Sequence, residues 1–152
     1  MAGRARRPIG RTPAFWDASA LVPLCIRQSA TSRVTSLYKT HEIFVWWTTP
    51  VEIASALARL LRMQQIHPVD FTKAQRLAFA LSQSWYVIQP SERLRMSALQ
   101  IVDRYDLCAA DSLQLASALE WCEGDPVGRT FFTADLRLRD AALLAGFEAK
   151  SV

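Results

Sequence analysis

Short runs that are apolar on both faces alternate along this chain with longer stretches whose apolar residues recur at helical spacing, and that alternation limits the folds open to it. The runs are 14–16 (AFW), 43–48 (IFVWWT), 85–88 (WYVI, closed by Pro90) and 129–133 (RTFFT), with 147–152 as a short edge strand. A strand with no polar face has no side to turn to water, so these runs suit a parallel sheet covered on both faces. Between them, Ile53, Ala54, Leu57, Leu60 and Leu61 make one face of a helix starting at Pro50, with Glu52, Arg59 and Arg62 away from it. Residues 71–81, 92–105, 109–121 and 134–144 carry similar stripes, the last stopped by Gly146 as a C′ glycine; 21–28 and 34–39 are weaker candidates. The expected class is therefore α/β: one domain with a central, mostly parallel sheet of four to five strands, right-handed crossovers and flanking helices. The pattern leaves the strand order open.

At 152 residues the chain has the size of one domain, and 51% hydrophobic with 21% charged residues is the composition of a globular protein. No stretch approaches the roughly 20 apolar residues of a membrane helix, and no apolar run follows the arginines at the start, which excludes a signal peptide. Cys25, Cys108 and Cys122 are odd in number and form no CxxC pair, so neither a disulfide framework nor a zinc site is expected, and a reducing cytoplasm is. The net charge of +4 equals the charge of Arg4, Arg6, Arg7 and Arg11 alone, since residues 1–13 contain no acid. Residues 14–152 are thus formally neutral. Residues 1–13 read as a basic, disordered leader before a domain spanning 14–152; an arm touching nucleic-acid phosphates is the alternative.

Four acids fall at equivalent places in the alternation. Asp17 ends the first strand, Glu52 lies in the first turn after the second, Asp111 at the start of helix 109–121, and Asp135 just after the fourth strand. In a parallel α/β sheet the strand C-terminal ends and the helix starts after them share one edge, where ligands bind, so Asp17, Glu52 and Asp135 point into it and Asp111 joins them if its helix begins there. Each acid also has a purely structural reading. Asp17 is a candidate N-cap, and Thr49-Pro50-Val51-Glu52 has the form of a capping box with Thr49 as N-cap. Asp111 and Asp135 suit the positive ends of helices. Taken together, four carboxylates on one edge repel unless a cation neutralises them. All-oxygen ligation suits Mg²⁺ or Mn²⁺, and such an ion activates water and stabilises phosphoryl oxygens. His41 and His67 lie outside this set, and the chain has neither a phosphate-cradling glycine loop nor a histidine placed for Ser/His/Asp or Cys/His catalysis.

The segments around these acids, 15–24 (FWDASALVPL), 48–60 (TTPVEIASALARL), 107–119 (LCAADSLQLASAL) and 131–142 (FFTADLRLRDAA), closed by Gly146-Phe147, resemble the PIN domain family. The likeness is specifically to the toxin ribonucleases of VapBC-type toxin–antitoxin pairs. It covers residues 14–148 with the motifs in order. It implies a metal-dependent endoribonuclease for single-stranded RNA, with RNA as substrate, a cognate antitoxin as partner and a homodimer as the assembly. Asp17 and Asp111 take the family's principal Mg²⁺-ligand roles, and Glu52 and Asp135 complete the acidic cluster directly or through water. Ser19 orients Asp17 or a metal-bound water, or serves only as a helix-start hydroxyl; Thr133 precedes Asp135 as the family pattern expects, or caps the helix that follows. The arginine-rich leader departs from the family pattern. A module of the same fold that binds RNA or protein without cutting is the alternative function. Trp16 is expected to pack beside the site, and Trp46, Trp47, Trp85 and Trp121 to pack in a core or interface. Arg137 and Arg139 are either phosphate contacts or a solvated face.

Overall fold

A computed structural model describes residues 10–152. In order along the chain come β1 (Thr12–Trp16), α1 (Ala18–Cys25), α2 (Thr31–Thr40), β2 (His41–Trp46), α3 (Thr49–Arg62) and α4 (Pro68–Ser82). They are followed by β3 (Tyr86–Ile88), α5 (Glu92–Tyr105), α6 (Ala109–Trp121), β4 (Thr130–Thr133), α7 (Leu136–Ala145) and β5 (Glu148–Ser151). The strands form one sheet in the order β3-β2-β1-β4-β5, every neighbouring pair parallel. The strand order that the sequence left open thus places β1 at the centre, with the chain running outward from it on one side and then on the other.

That path dictates the layers. Crossovers of one hand that travel in opposite directions along a sheet must use opposite faces. Ala14, Trp16, Ile43, Val45 and Phe132 accordingly pack with Leu21, Val34, Ile53, Leu57 and Ala74 of α1–α4. Phe15, Trp46 and Phe131 turn the other way, onto Leu94, Ile101, Leu115 and Leu138 of α5–α7. Alternate strand residues are apolar because both faces are covered.

The strands are offset from the expected runs by one or two residues. β1 starts at Thr12 rather than at Ala14, so two residues of the expected leader belong to the sheet, paired Thr12↔His41 and Pro13↔Glu42. Proline is admissible there because pairing with β4 begins only at Ala14, which leaves Pro13 with a neighbour on one side. Arg11 donates through Nε to the Lys39 carbonyl at 3.1 Å and through Nη2 to that of Tyr38, closing the C-terminal end of α2. Arg4, Arg6 and Arg7 lie outside the described residues. β2 ends at Trp46, not at 48, because Thr49-Pro50 already starts α3. Trp16, Trp46 and Trp85 are buried as expected, and Trp121 packs against Phe15 and Phe44. Trp47 lies past the end of the strand and outside the core, 54% exposed. No helix among the described residues is long and apolar enough to cross a membrane.

Gly146 ends α7 at φ 108°, and a Cβ there would stand 3.0 Å from Cγ of Pro126. Gly146→Ala should therefore lower stability by on the order of 1–2 kcal/mol in urea or thermal unfolding, through the left-handed backbone and the crowded proline together. An unchanged midpoint would contradict this.

Candidate functional site

The strand order reverses direction at β1 and β4, and at such a switch point the helices leave the sheet on opposite faces and open a crevice beyond the strand ends. Asp17 stands there, directly after β1. Its backbone N–H donates to the Phe132 carbonyl of β4 at 2.9 Å, which extends the β1–β4 ladder by one bond and fixes where the side chain sits. The carboxylate is 4% exposed. Oδ2 accepts from the Ser19 hydroxyl, from the Thr133 hydroxyl at 2.9 Å and from the Ser19 backbone N–H at 3.3 Å. Oδ1 takes no hydrogen bond from the described residues. Ser19 Oγ also accepts from the Ala134 N–H at 2.9 Å, and Thr133 Oγ1 from the Asp135 N–H at 3.0 Å, so the two hydroxyls stitch the ends of β1 and β4 together through one carboxylate. Asp17 is therefore the N-cap of α1 and the link between the two strand ends.

Burial pushes the Asp17 carboxyl up to about 6; the Ser19 and Thr133 hydrogen bonds oppose this, and the charges of Glu52 and Asp111 add to it. No cation pairs with it among the described residues. Asp111, in the first turn of α6, is also raised, chiefly by burial and further by the charge of Asp135, while the Cys108 thiol and Arg137 lower it. Cys108 Sγ donates to Asp111 Oδ2 at 3.2 Å. The four acids singled out in the sequence thus act on one another in a chain, Glu52 and Asp111 on Asp17, and Asp135 on Asp111.

The helix-start readings are met unevenly. Asp135 is a true N-cap, its Oδ1 accepting from the Leu138 N–H at 2.9 Å. The expected capping box at 49–52 does not form: Thr48 occupies the N-cap position without a side-chain capping bond, and its hydroxyl instead donates to Glu52 Oε1 at 2.6 Å. Glu52 is held from the other face of the sheet by Gln114 of α6, whose Nε2 lies 3.2 Å from Oε1, 3.1 Å from Oε2 and 3.4 Å from Thr49 Oγ1. Gln114 is fully buried, its own Oε1 without a partner. The sequence reading missed this residue. Its only signal is an amide in the buried stripe of LQLASAL, where apolar residues are the rule. Both histidines have local roles, His67 accepting from Val69 N–H at the start of α4 and His41 Nδ1 lying 2.9 Å from the Leu37 carbonyl.

No group of three or more histidine, cysteine, aspartate or glutamate side chains among the described residues is drawn together closely enough to hold a metal ion. The donor set nonetheless fits a hard divalent cation. Every candidate donor is a carboxylate oxygen, and the most buried of the four, Asp17, has one oxygen that accepts three hydrogen bonds and one that accepts none, with like charges around it and no counter-cation among the described residues. Asp17, Asp111 and Asp135 stand at the N-terminal ends of α1, α6 and α7 and Glu52 in the first turn of α3, and the partial positive charge of helix N-termini favours anions beside such a cation.

Neither a family model nor a curated protein matches the sequence. By structure the chain is similar to PAE2754 from Pyrobaculum aerophilum, with TM-score 0.63 and 19% identity over 93% of this chain and 90% of that one. It is also similar to a chain of VapBC2 from Rickettsia felis, solved bound to a DNA fragment from their promoter, with TM-score 0.61 and 12% identity over 92% and 100%. A third is FitAcB from Neisseria gonorrhoeae, with TM-score 0.59 and 16% identity over 89% and 96%. These likenesses establish the fold, and it is the α/β arrangement expected from the sequence, a central parallel sheet flanked by helices.

Two measurements test the geometry. Asp17 binds its proton more tightly in the folded chain than in the unfolded one, so between the ordinary aspartate value and about 6 the unfolded state holds fewer protons and stability falls as pH rises. The loss is on the order of 3 kcal/mol and is complete above about pH 6. Without divalent ions, the melting temperature of wild type should therefore drop between pH 4 and 7 relative to Asp17→Asn; parallel profiles would contradict the burial. Gln114→Leu should lower the melting temperature by about 3 °C, because Glu52 loses its amide donor while the unpaired amide oxygen is removed with it. It should weaken Mg²⁺ uptake in calorimetry roughly 10-fold through the loosened Glu52. Unaltered uptake would reduce Gln114 to a packing residue.

Proposed function

We propose that this chain is a metal-dependent endoribonuclease of the PIN type, acting on single-stranded RNA as the toxin of a toxin–antitoxin pair. The observation that carries the reading is Asp17, a buried carboxylate without a counter-cation, set at the switch point and acted on by Glu52 and Asp111. The solved structures of VapBC2 and FitAcB, which share the fold, support the toxin reading and with it a cognate antitoxin as partner.

In this reading Asp17 and Asp111 hold Mg²⁺ or Mn²⁺, with Glu52 and Asp135 completing the set directly or through water. The bound ion supplies an activated water and charge stabilisation at the phosphoryl oxygens. The chain's own residues prepare the place. Ser19 and Thr133 occupy Oδ2 of Asp17 and so fix the direction of the other oxygen. Thr48 and Gln114 hold the Glu52 carboxylate from opposite sides. Asp17 must shed its proton before a cation can bind, so metal uptake and cleavage both rise with pH through about 6. The helix N-termini around the crevice draw the RNA phosphates toward the acids that would otherwise repel them. Trp47, exposed just past the end of β2, offers an aromatic surface for a base at the same edge. A homodimer belongs to the same reading, with Met96, Leu99 and Val102 of α5 as exposed apolar residues available to it. Cytoplasmic residence suits the free thiols Cys25, Cys108 and Cys122.

Labelled single-stranded RNA incubated with and without Mg²⁺ tests the activity. Cleavage should require the metal, and Asp17→Asn and Asp111→Asn should each slow it on the order of 100-fold or more while circular dichroism stays native. Glu52→Gln should also impair cleavage. Full activity in the Asp17 or Asp111 variant would overturn the site.

A further inference from the structure

Arg137 lies in the first turn of α7, two residues after Asp135. Its Nη2 donates to the Asp106 carbonyl at 3.0 Å and to Asp106 Oδ2 at 3.3 Å. Asp106 is the left-handed C-cap of α5, at φ 51° and ψ 47°, five residues before Asp111. The contact therefore bridges the two segments that carry Asp135 and Asp111, at the rim of the crevice. It is a loose bridge: the side chains are 73% and 102% exposed, and ion pairs in water of this kind are weak. Nε and Nη1 of Arg137 donate to nothing among the described residues, so most of its planar fork is open. Arg139, two residues further on, differs, with both Nε and Nη2 engaged by Asp140. The charge of Arg137 also reaches Asp111, whose carboxyl it lowers against the effect of burial.

Resting on the nuclease reading above, we propose that Arg137 is the arginine that grips the substrate backbone, parked on Asp106 until an RNA phosphate beside the cleavage point displaces that carboxylate. A phosphodiester accepts the guanidinium fork in two places, which the single-nitrogen contact with Asp106 does not, so the exchange runs toward RNA. Asp106 then acts as a restraint: it holds the arginine over the crevice rim and competes with the phosphate for it. The function of the pair is to position RNA, not to take part in bond cleavage.

The test measures binding of a fluorescein-labelled single-stranded RNA by anisotropy in Mg²⁺ over a salt titration. It uses Asp17→Asn protein so that no cleavage intervenes. Adding Arg137→Ala should weaken binding several-fold and reduce the log–log salt slope by about 0.7, the loss of one phosphate contact on a single strand. Arg137→Lys should recover part of both. Asp106→Asn, which keeps a residue tolerant of the left-handed backbone, should tighten binding several-fold, and that gain should vanish when Arg137 is already alanine. An equal gain in both backgrounds would mean that Asp106 acts only as a nearby negative charge, and would overturn the restraint. An unchanged slope in Arg137→Ala would overturn the grip, and weakened binding of a labelled polyglutamate peptide in that variant would reassign the arginine to an acidic protein partner. Should wild type in Mg²⁺ leave the same RNA uncut, the nuclease reading itself falls; should the RNA be cut while Arg137→Ala leaves binding to the Asp17→Asn protein as tight as before, only this inference does.

Discussion

The site depends on one shared carboxylate oxygen. Oδ2 of Asp17 receives Ser19 from the helix after β1 and Thr133 from the end of β4, so a single buried group ties together the two strands between which the crevice opens. The parallel register Phe15↔Phe131 and Trp16↔Phe132, extended by the Asp17 N–H to the Phe132 carbonyl, leaves that group no freedom along the strand. A slip of one residue would exchange the side chains of β1 between the two cores and carry Asp17 away from both hydroxyls. Burial alone would favour a neutral Asp17; the hydroxyls keep the charged form accessible, and the result is a carboxyl that titrates near 6 rather than one locked in either state.

In the reading proposed above, the acids at this edge serve structure and chemistry together. Asp17 and Asp135 both cap helices, and Asp135 commits Oδ1 to the Leu138 N–H while its charge still reaches Asp111. In a parallel sheet the two roles coincide, because the strand ends that bind ligands are also the places where helices begin and need caps. Glu52 is the departure. Its carboxylate accepts from the hydroxyl of Thr48, the N-cap residue of its own helix, and across the sheet edge from Gln114, which gives it a fixed position without a bond to the helix's backbone N–H groups.

Much of this was legible in the sequence because it is local. The two-sided apolar runs announced a covered parallel sheet, and the places of Asp17, Glu52, Asp111 and Asp135 after strand runs or at helix starts put them on one edge. What was hidden depends on pairs distant along the chain. Gln114 meets Glu52 across 62 positions, and Arg137 meets Asp106 across 31, with nothing in either segment to advertise the partner. The order β3-β2-β1-β4-β5 was hidden for the same reason, since hydrophobic pattern fixes which residues are covered and not which strand lies beside which. Trp47 was misplaced by composition: its run looked continuous, but Thr49-Pro50 begins a helix and ends the strand before it.

The central claim is that Asp17 and Asp111 share a divalent cation at the switch point between β1 and β4. Crystals of the full chain soaked in Mn²⁺ test it most directly, because anomalous scattering locates the ion without reference to activity. The account predicts a single strong peak in the crevice, ligated by oxygens of Asp17 and Asp111 at the short distances of a hard cation. It also predicts that the peak disappears in Asp17→Asn. A Mn²⁺ ion bound elsewhere, or a crevice that stays free of anomalous density at saturating Mn²⁺, would contradict it.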